Sequence, residues 1–106
     1  MHMLHIDGRI KPGKKAEFLE TWSREILPST KMQGGFIDEF LLFFEEGEAG
    51  IDLTFWDSQK EAEEFQHNVF EKVNHNAERL LEGKFTVHGC GCDLDCYRRF
   101  GLNRAA

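Results

Sequence analysis

Gly50–Val73 reads GIDLTFWDSQKEAEEFQHNVFEKV and carries the strongest structural signal of the chain. Ile51, Leu53 and Phe55 alternate with Asp52, Thr54 and Trp56, the two-residue period of a half-buried strand. The strand turns directly into a helix. Asp57 or Ser58 is the expected N-cap. Ser58-x-x-Glu61 has capping-box spacing, so its hydroxyl and carboxylate can serve two orphan amides. Ala62, Phe65, Val69 and Val73 then recur at helical spacing.

Working outward, Met3–Lys11 alternates with Leu4, Ile6 and Ile10 on one side and His5, Asp7 and Arg9 on the other, which predicts a strand. Lys11-Pro12-Gly13 punctuates it. A helix is expected from about Lys14 to Met32, its stripe built from Phe18, Leu19, Trp22, Ile26 and Leu27. Pro28 lies inside that span and predicts a kink or break near Leu27. Gly34-Gly35 ends the helix. Phe36–Phe44 is a second strand, apolar on both faces apart from Asp38 and Glu39, and Glu45–Gly50 is a polar hairpin loop. The second helix ends near Leu81–Gly83, and Lys84–His88 forms a short fourth strand.

The order is β-α-β-β-α-β, an α+β ferredoxin-like arrangement with two helices on one face of a four-stranded antiparallel sheet. The opposite face needs a cover. In the second strand Phe36, Phe40, Leu42 and Phe44 alternate with Ile37, Leu41 and Phe43, so both faces receive large apolar side chains. A second copy of the sheet would bury three or four of them per subunit, worth roughly 5–10 kcal/mol before association costs. A two-fold homodimer is therefore expected. The other way to cover the face is for the C-terminal tail to fold back over it.

Composition sets outer bounds. A chain of 106 residues with 41% hydrophobic and 30% charged residues suits one small globular domain. The domain is expected over residues 1–88, followed by a Cys-containing tail, 89–106, that is not a separate domain. The longest apolar run, Phe40–Phe44, is far short of the ~20 residues of a membrane span. No signal-peptide pattern opens the chain, so the cytoplasm is the default location. A net charge of −6 argues against nucleic acid or an anionic membrane as the main partner. Ten Phe imply an aromatic core or an apolar surface that a subunit or ligand covers.

The element order, KPGK at the first helix, Pro28, the closing Gly-Gly-Phe and FWDSQKEAEEF together resemble the antibiotic-biosynthesis-monooxygenase-like family, over about residues 3–88. Members include oxygenases, haem-degrading enzymes, isomerases and proteins of no known activity. The resemblance implies a dimeric α+β barrel with a pocket between helices and sheet in each subunit. It further implies a cofactor-independent monooxygenase-like activity on a small aromatic or polyketide-type molecule, the substrate being oxidised as a carbanion or radical. A Trp near the pocket is implied too, which selects Trp56. The bland alternative makes Trp56 an aromatic wedge between strand and helix. The haem-degrading branch would need an Asn on the first strand, a Trp in the second helix and a His ligand later in it. The corresponding places hold Asp7 and Gly8, Phe65, and Asn74, with His75 turned about 100° away. Haem is therefore disfavoured.

His67 and His75 are the candidate general bases, their ordinary pKa suiting proton abstraction near neutrality. Eight residues apart, they are too distant for a helical metal pair. The bland alternative is a solvated helix face with Glu71 and Glu78. His5 and Asp7 are further, weaker bases. The tail places His88, Cys90, Cys92 and Cys96 within nine residues. These are candidate metal ligands, although Cys-x-Cys is tighter than the usual zinc spacing. Free thiols and a redox pair are the alternatives, and an odd cysteine count argues against a disulfide framework. Asp93–Phe100 has the pattern of a short helix. Two functions of other classes thus stand beside the oxygenase: a non-enzymatic small-ligand-binding or stress-response module, and a metal- or redox-responsive protein acting through the cysteines.

Overall fold

The computed structural model describes residues 1–44 and 49–92. Most of the hairpin loop, Cys96 and the expected Asp93–Phe100 helix lie outside the described residues. Strand β1 (His2–Arg9) turns Leu4 and Ile6 into the core. Helix α1 (Lys15–Thr21) runs through a π-helical turn (Trp22–Ile26) into α2 (Leu27–Lys31). The break expected at Pro28 takes this form. Proline has no amide to donate and crowds the preceding turn. The widened turn lies just before it, closed by the Leu27 N–H donating to the Trp22 carbonyl.

Strand β2 (Phe36–Phe43) pairs antiparallel with β3 (Ala49–Trp56), with an irregularity between Phe36 and Asp38. Gly35 has φ +82°, and a side chain there would strike Glu61. The Asp57 N–H donates to its carbonyl at 2.8 Å, so a glycine fastens the end of β3 beside the next helix. Ser58 caps α3 (Gln59–Phe65), its Oγ accepting from the Glu61 N–H at 3.3 Å. The Glu61 carboxylate takes the Ser58 hydroxyl, at 3.1 Å, in place of the backbone amide expected from a capping box.

A second π-helical turn (Gln66–Phe70) follows, then α4 (Glu71–Val73) and α5 (His75–Glu78). This corrects the expected stripe. The wide turn inserts one residue, so Phe70, Asn74 and Ala77 are buried while Val69 and Val73 are only half-buried. Strand β4 (Thr86–Gly91) starts and ends later than expected, and so carries Cys90 into the sheet. The sheet order is β2-β3-β1-β4, all antiparallel, with both helical segments on one face: the ferredoxin-like α+β architecture.

On β3 the face toward the helices is Asp52, Thr54 and Trp56, all buried, while Ile51, Leu53 and Phe55 face the other way. They join Phe40 and Leu42, each 50% exposed, through the cross-strand pairs Phe40–Leu53 and Leu42–Ile51. The uncovered face is thus apolar across β2 and β3. Toward β1 and β4 it becomes polar, with the paired residues His5–His88 and Asp7–Thr86.

Candidate functional site

The core divides into two aromatic groups. Trp56 stacks on Phe65 with ring centres 4.8 Å apart and meets Phe36 edge-on at 5.7 Å. It is fully buried, and its indole N–H donates to Thr54 Oγ1 at 2.8 Å. In the second group Trp22 packs against Phe18, Phe70 and Phe85 at 5.5, 6.2 and 5.8 Å. Each π turn supplies one member, Trp22 and Phe70; such turns recur at functional sites.

Below the second group, between helices and sheet, lies a cavity of about 10 Å³, walled by Ile6, Phe18, Trp22, Leu41, Asp52 and Phe85. That is room for one water molecule. At one end of the sheet Gly8 and Gly50 face each other and border both this cavity and a larger surface recess of about 390 Å³.

The cavity's polar groups lack partners. Asp52 and Trp22 are each 2% exposed, yet neither Asp52 oxygen nor Trp22 Nε1 makes a hydrogen bond. Both carboxylate oxygens of Glu39 are buried and unpaired as well. The three groups are neighbours: Glu39 is perturbed by the Asp52 carboxyl and by the Trp22 indole. Two ionised carboxyls cannot satisfy each other, because both only accept. A proton on one of them makes it a donor. Burial first, and then the Glu39 carboxyl, push Asp52 up to about 10. Burial likewise raises Glu39, against smaller lowering effects from Asp52, Trp22 and Lys31. At neutral pH Asp52 therefore keeps its proton and is the donor of the pair.

The residues selected from sequence lie elsewhere. Trp56 does not line the cavity. His67 is exposed and pairs with Glu71 at 3.1 Å, and His75 is exposed on α5. The inward place next to it belongs to Asn74, which precedes α5. His5 stands on the uncovered face, 4.0 Å from Asp7 and 6.0 Å from the ring of His88. His88 and Cys90 share that face, and Cys90 and Cys92 are free thiols. Burial raises the Cys92 thiol, with Cys90 adding to the effect. Among the described residues no three His, Cys, Asp or Glu side chains are grouped to hold a metal ion. Also among them, no helix is long and apolar enough to cross a membrane.

Asp52, Glu39 and Trp22 escaped selection. The available signal was an acid in the middle of each apolar strand, in phase with Trp56 on β3 and with Leu41 on β2.

No family model matches the chain, and no curated protein matches it. Solved structures do. A conserved protein from Methanosarcina mazei Go1 superposes with a TM-score of 0.73 at 16% identity, covering 87% of this chain and 92% of that one. A monooxygenase from the gene ActVA-Orf6 of Streptomyces coelicolor, solved with the ligand nanaomycin D, gives 0.73 at 11% identity over 87% of each chain. An antibiotic biosynthesis monooxygenase gives 0.72 at 12% identity over 88% of this chain and 99% of the other. The chain has the fold of antibiotic biosynthesis monooxygenases.

Proposed function

We propose that the chain is a cofactor-independent monooxygenase-like protein acting on a small aromatic or polyketide-type molecule, with its reaction site in the cavity beneath Trp22. One observation carries this: two buried polar groups, the Asp52 carboxyl and the Trp22 indole, line a cavity whose other walls are apolar and largely aromatic. Burying such groups costs stability, and functional sites are where that cost recurs. The shared fold with monooxygenases supports the reaction class. In that chemistry the substrate supplies the electrons: a ring methylene and O₂ give a ring carbonyl and water. The aromatic walls orient the ring, and a buried base ionises it.

The cavity holds about 10 Å³, so a ring enters only if its walls move apart. The uncovered face bearing Phe40, Leu42, Ile51, Leu53 and Phe55 is covered by a second copy of the chain, giving the homodimer.

The test is oxygen uptake with an anthrone substrate, together with product analysis. Uptake in stoichiometry with quinone formation supports the assignment. Binding of the anthrone without turnover favours the second reading, a non-enzymatic ligand-binding module.

A further inference from the structure

We propose that His5 and His88 form a binding site for a divalent transition-metal ion on the uncovered face of the sheet, with Asp7 orienting His5. The site lies on the opposite face of the sheet from the cavity and is independent of the activity proposed above.

Register brings the pair together. His5 is on β1 and His88 on β4, directly opposite each other in the antiparallel ladder. Facing residues of one sheet face have Cβ atoms about 4.5–5.5 Å apart, within reach of a shared ligand. The two imidazole rings have centres 6.0 Å apart and planes 27° from parallel. An ion about 2.0–2.1 Å from one nitrogen of each ring holds the ring centres roughly 5 Å apart, an adjustment on the order of 1 Å. β4 is an edge strand and His88 is exposed, so an ion reaches the pair from solvent.

Asp7 is a second pointer. It lies two positions beyond His5 on the same face, and its carboxylate stands 4.0 Å from His5 Nδ1. A carboxylate at one ring nitrogen is the common partner of a metal-binding histidine. It fixes the tautomer and leaves Nε2 bare for the ion.

Donor chemistry selects the ion. Imidazole suits zinc, nickel and copper, whereas calcium and magnesium take oxygen ligands. Among the described residues no third His, Cys, Asp or Glu is grouped with the pair as a ligand, so water takes the remaining positions. Cys90 lies one step further along β4, opposite Met3, and is not required. The ion would join β1 to a strand from the other end of the domain. It therefore binds the folded register and not the unfolded chain, and stabilises the fold by that difference.

The test uses the full chain, reduced and stripped of metal, titrated with Ni2+ alone, an ion that favours imidazole and does not oxidise thiols. Calorimetry should show one Ni2+ per chain. The ring resonances of His5 and His88 should broaden selectively, and the melting temperature should rise with Ni2+ concentration. His88→Ala, at an exposed position, should stay folded and lose both the broadening at His5 and the Ni2+-dependent rise. Asp7→Asn should bind ~10–100-fold more weakly, the usual effect of removing such an orienting partner. His2→Ala and Cys90→Ser should bind as the wild type does. Absence of saturable binding by the wild type, binding that survives His88→Ala, or an unaffected Asp7→Asn would each overturn the proposal. So would loss of binding in His2→Ala or Cys90→Ser, which would move the ion to the chain terminus or to the thiols. None of these readouts is oxygen uptake, so the two assignments fail separately.

Discussion

The indole N–H of Trp56 donates to the hydroxyl of Thr54 at 2.8 Å, with both side chains fully buried. The other tryptophan, Trp22, is buried to nearly the same degree and has no acceptor. One indole is satisfied by its own strand; the other lies beside the buried Glu39 carboxyl.

That contrast gives a first expectation. Thr54→Val keeps the shape and removes the acceptor, so a buried N–H is left unpaired. Stability should fall by ~1–3 kcal/mol. Urea unfolding should show a lower midpoint with an unchanged slope.

The carboxyl pair gives a pH dependence whose sign can be worked out. Asp52 is pushed up to about 10 in the folded chain, by burial and then by Glu39. Unfolded, it loses its proton near ~3.9. Between these values the folded state binds more protons than the unfolded one, so this group's stabilisation is full below about pH 4 and is lost as pH rises toward about 10. Melting temperature should decline from about pH 5 to about pH 9, and Asp52→Asn should flatten the decline. A wild-type profile that rises over this range would contradict a protonated Asp52.

Leu41 and Leu42 are adjacent, yet opposite effects are expected. Leu42 is 50% exposed on the uncovered face, and Leu41 packs against the core. Leu42→Asp should dissociate or aggregate the protein while its far-UV spectrum stays folded. Leu41→Asp should unfold the subunit instead, since it buries an unpaired charge. Light scattering at micromolar concentration decides whether there is a dimer to dissociate.

His67 and His75 give a control. Both are exposed, and the pairing of His67 with Glu71 is a surface contact of small worth. Alanine at either position should leave melting temperature and oxygen uptake unchanged. A ~10²–10⁴-fold loss of rate would restore one of them as the general base.

The cysteines are testable by count. Cys90 and Cys92 should both be modified by a thiol reagent, Cys92 more slowly because burial disfavours its thiolate. Whole-number metal content lost in the Cys90→Ser, Cys92→Ser double variant would show a ligand role instead.

Strand alternation and the Ser58 cap were legible because they depend on neighbours in sequence. Leu4 and Ile6 face the core as their period implies. The Pro28 break was legible for the same reason, although its π-helical form was not. On β3 both alternating sets contain a large apolar residue, so period alone could not say that Trp56 faces in and Ile51 faces out. The acid centre was hidden more deeply. Glu39 and Asp52 lie thirteen positions apart in sequence and meet only through the β2–β3 register. His67, by contrast, drew notice through its chemistry, and helix geometry then turned it outward.

Phe65 and Phe70 both face the core across five positions because the second π turn lies between them. Deleting one residue from 66–69 would leave them four apart, a spacing that an ordinary α-helix places on one face. The deletion would remove a costly wide turn and keep the same core side chains. This helix therefore carries a dispensable position. Length variants here should be tolerated better than within the regular stretches of the strands, where a one-residue slip sends every side chain to the opposite face.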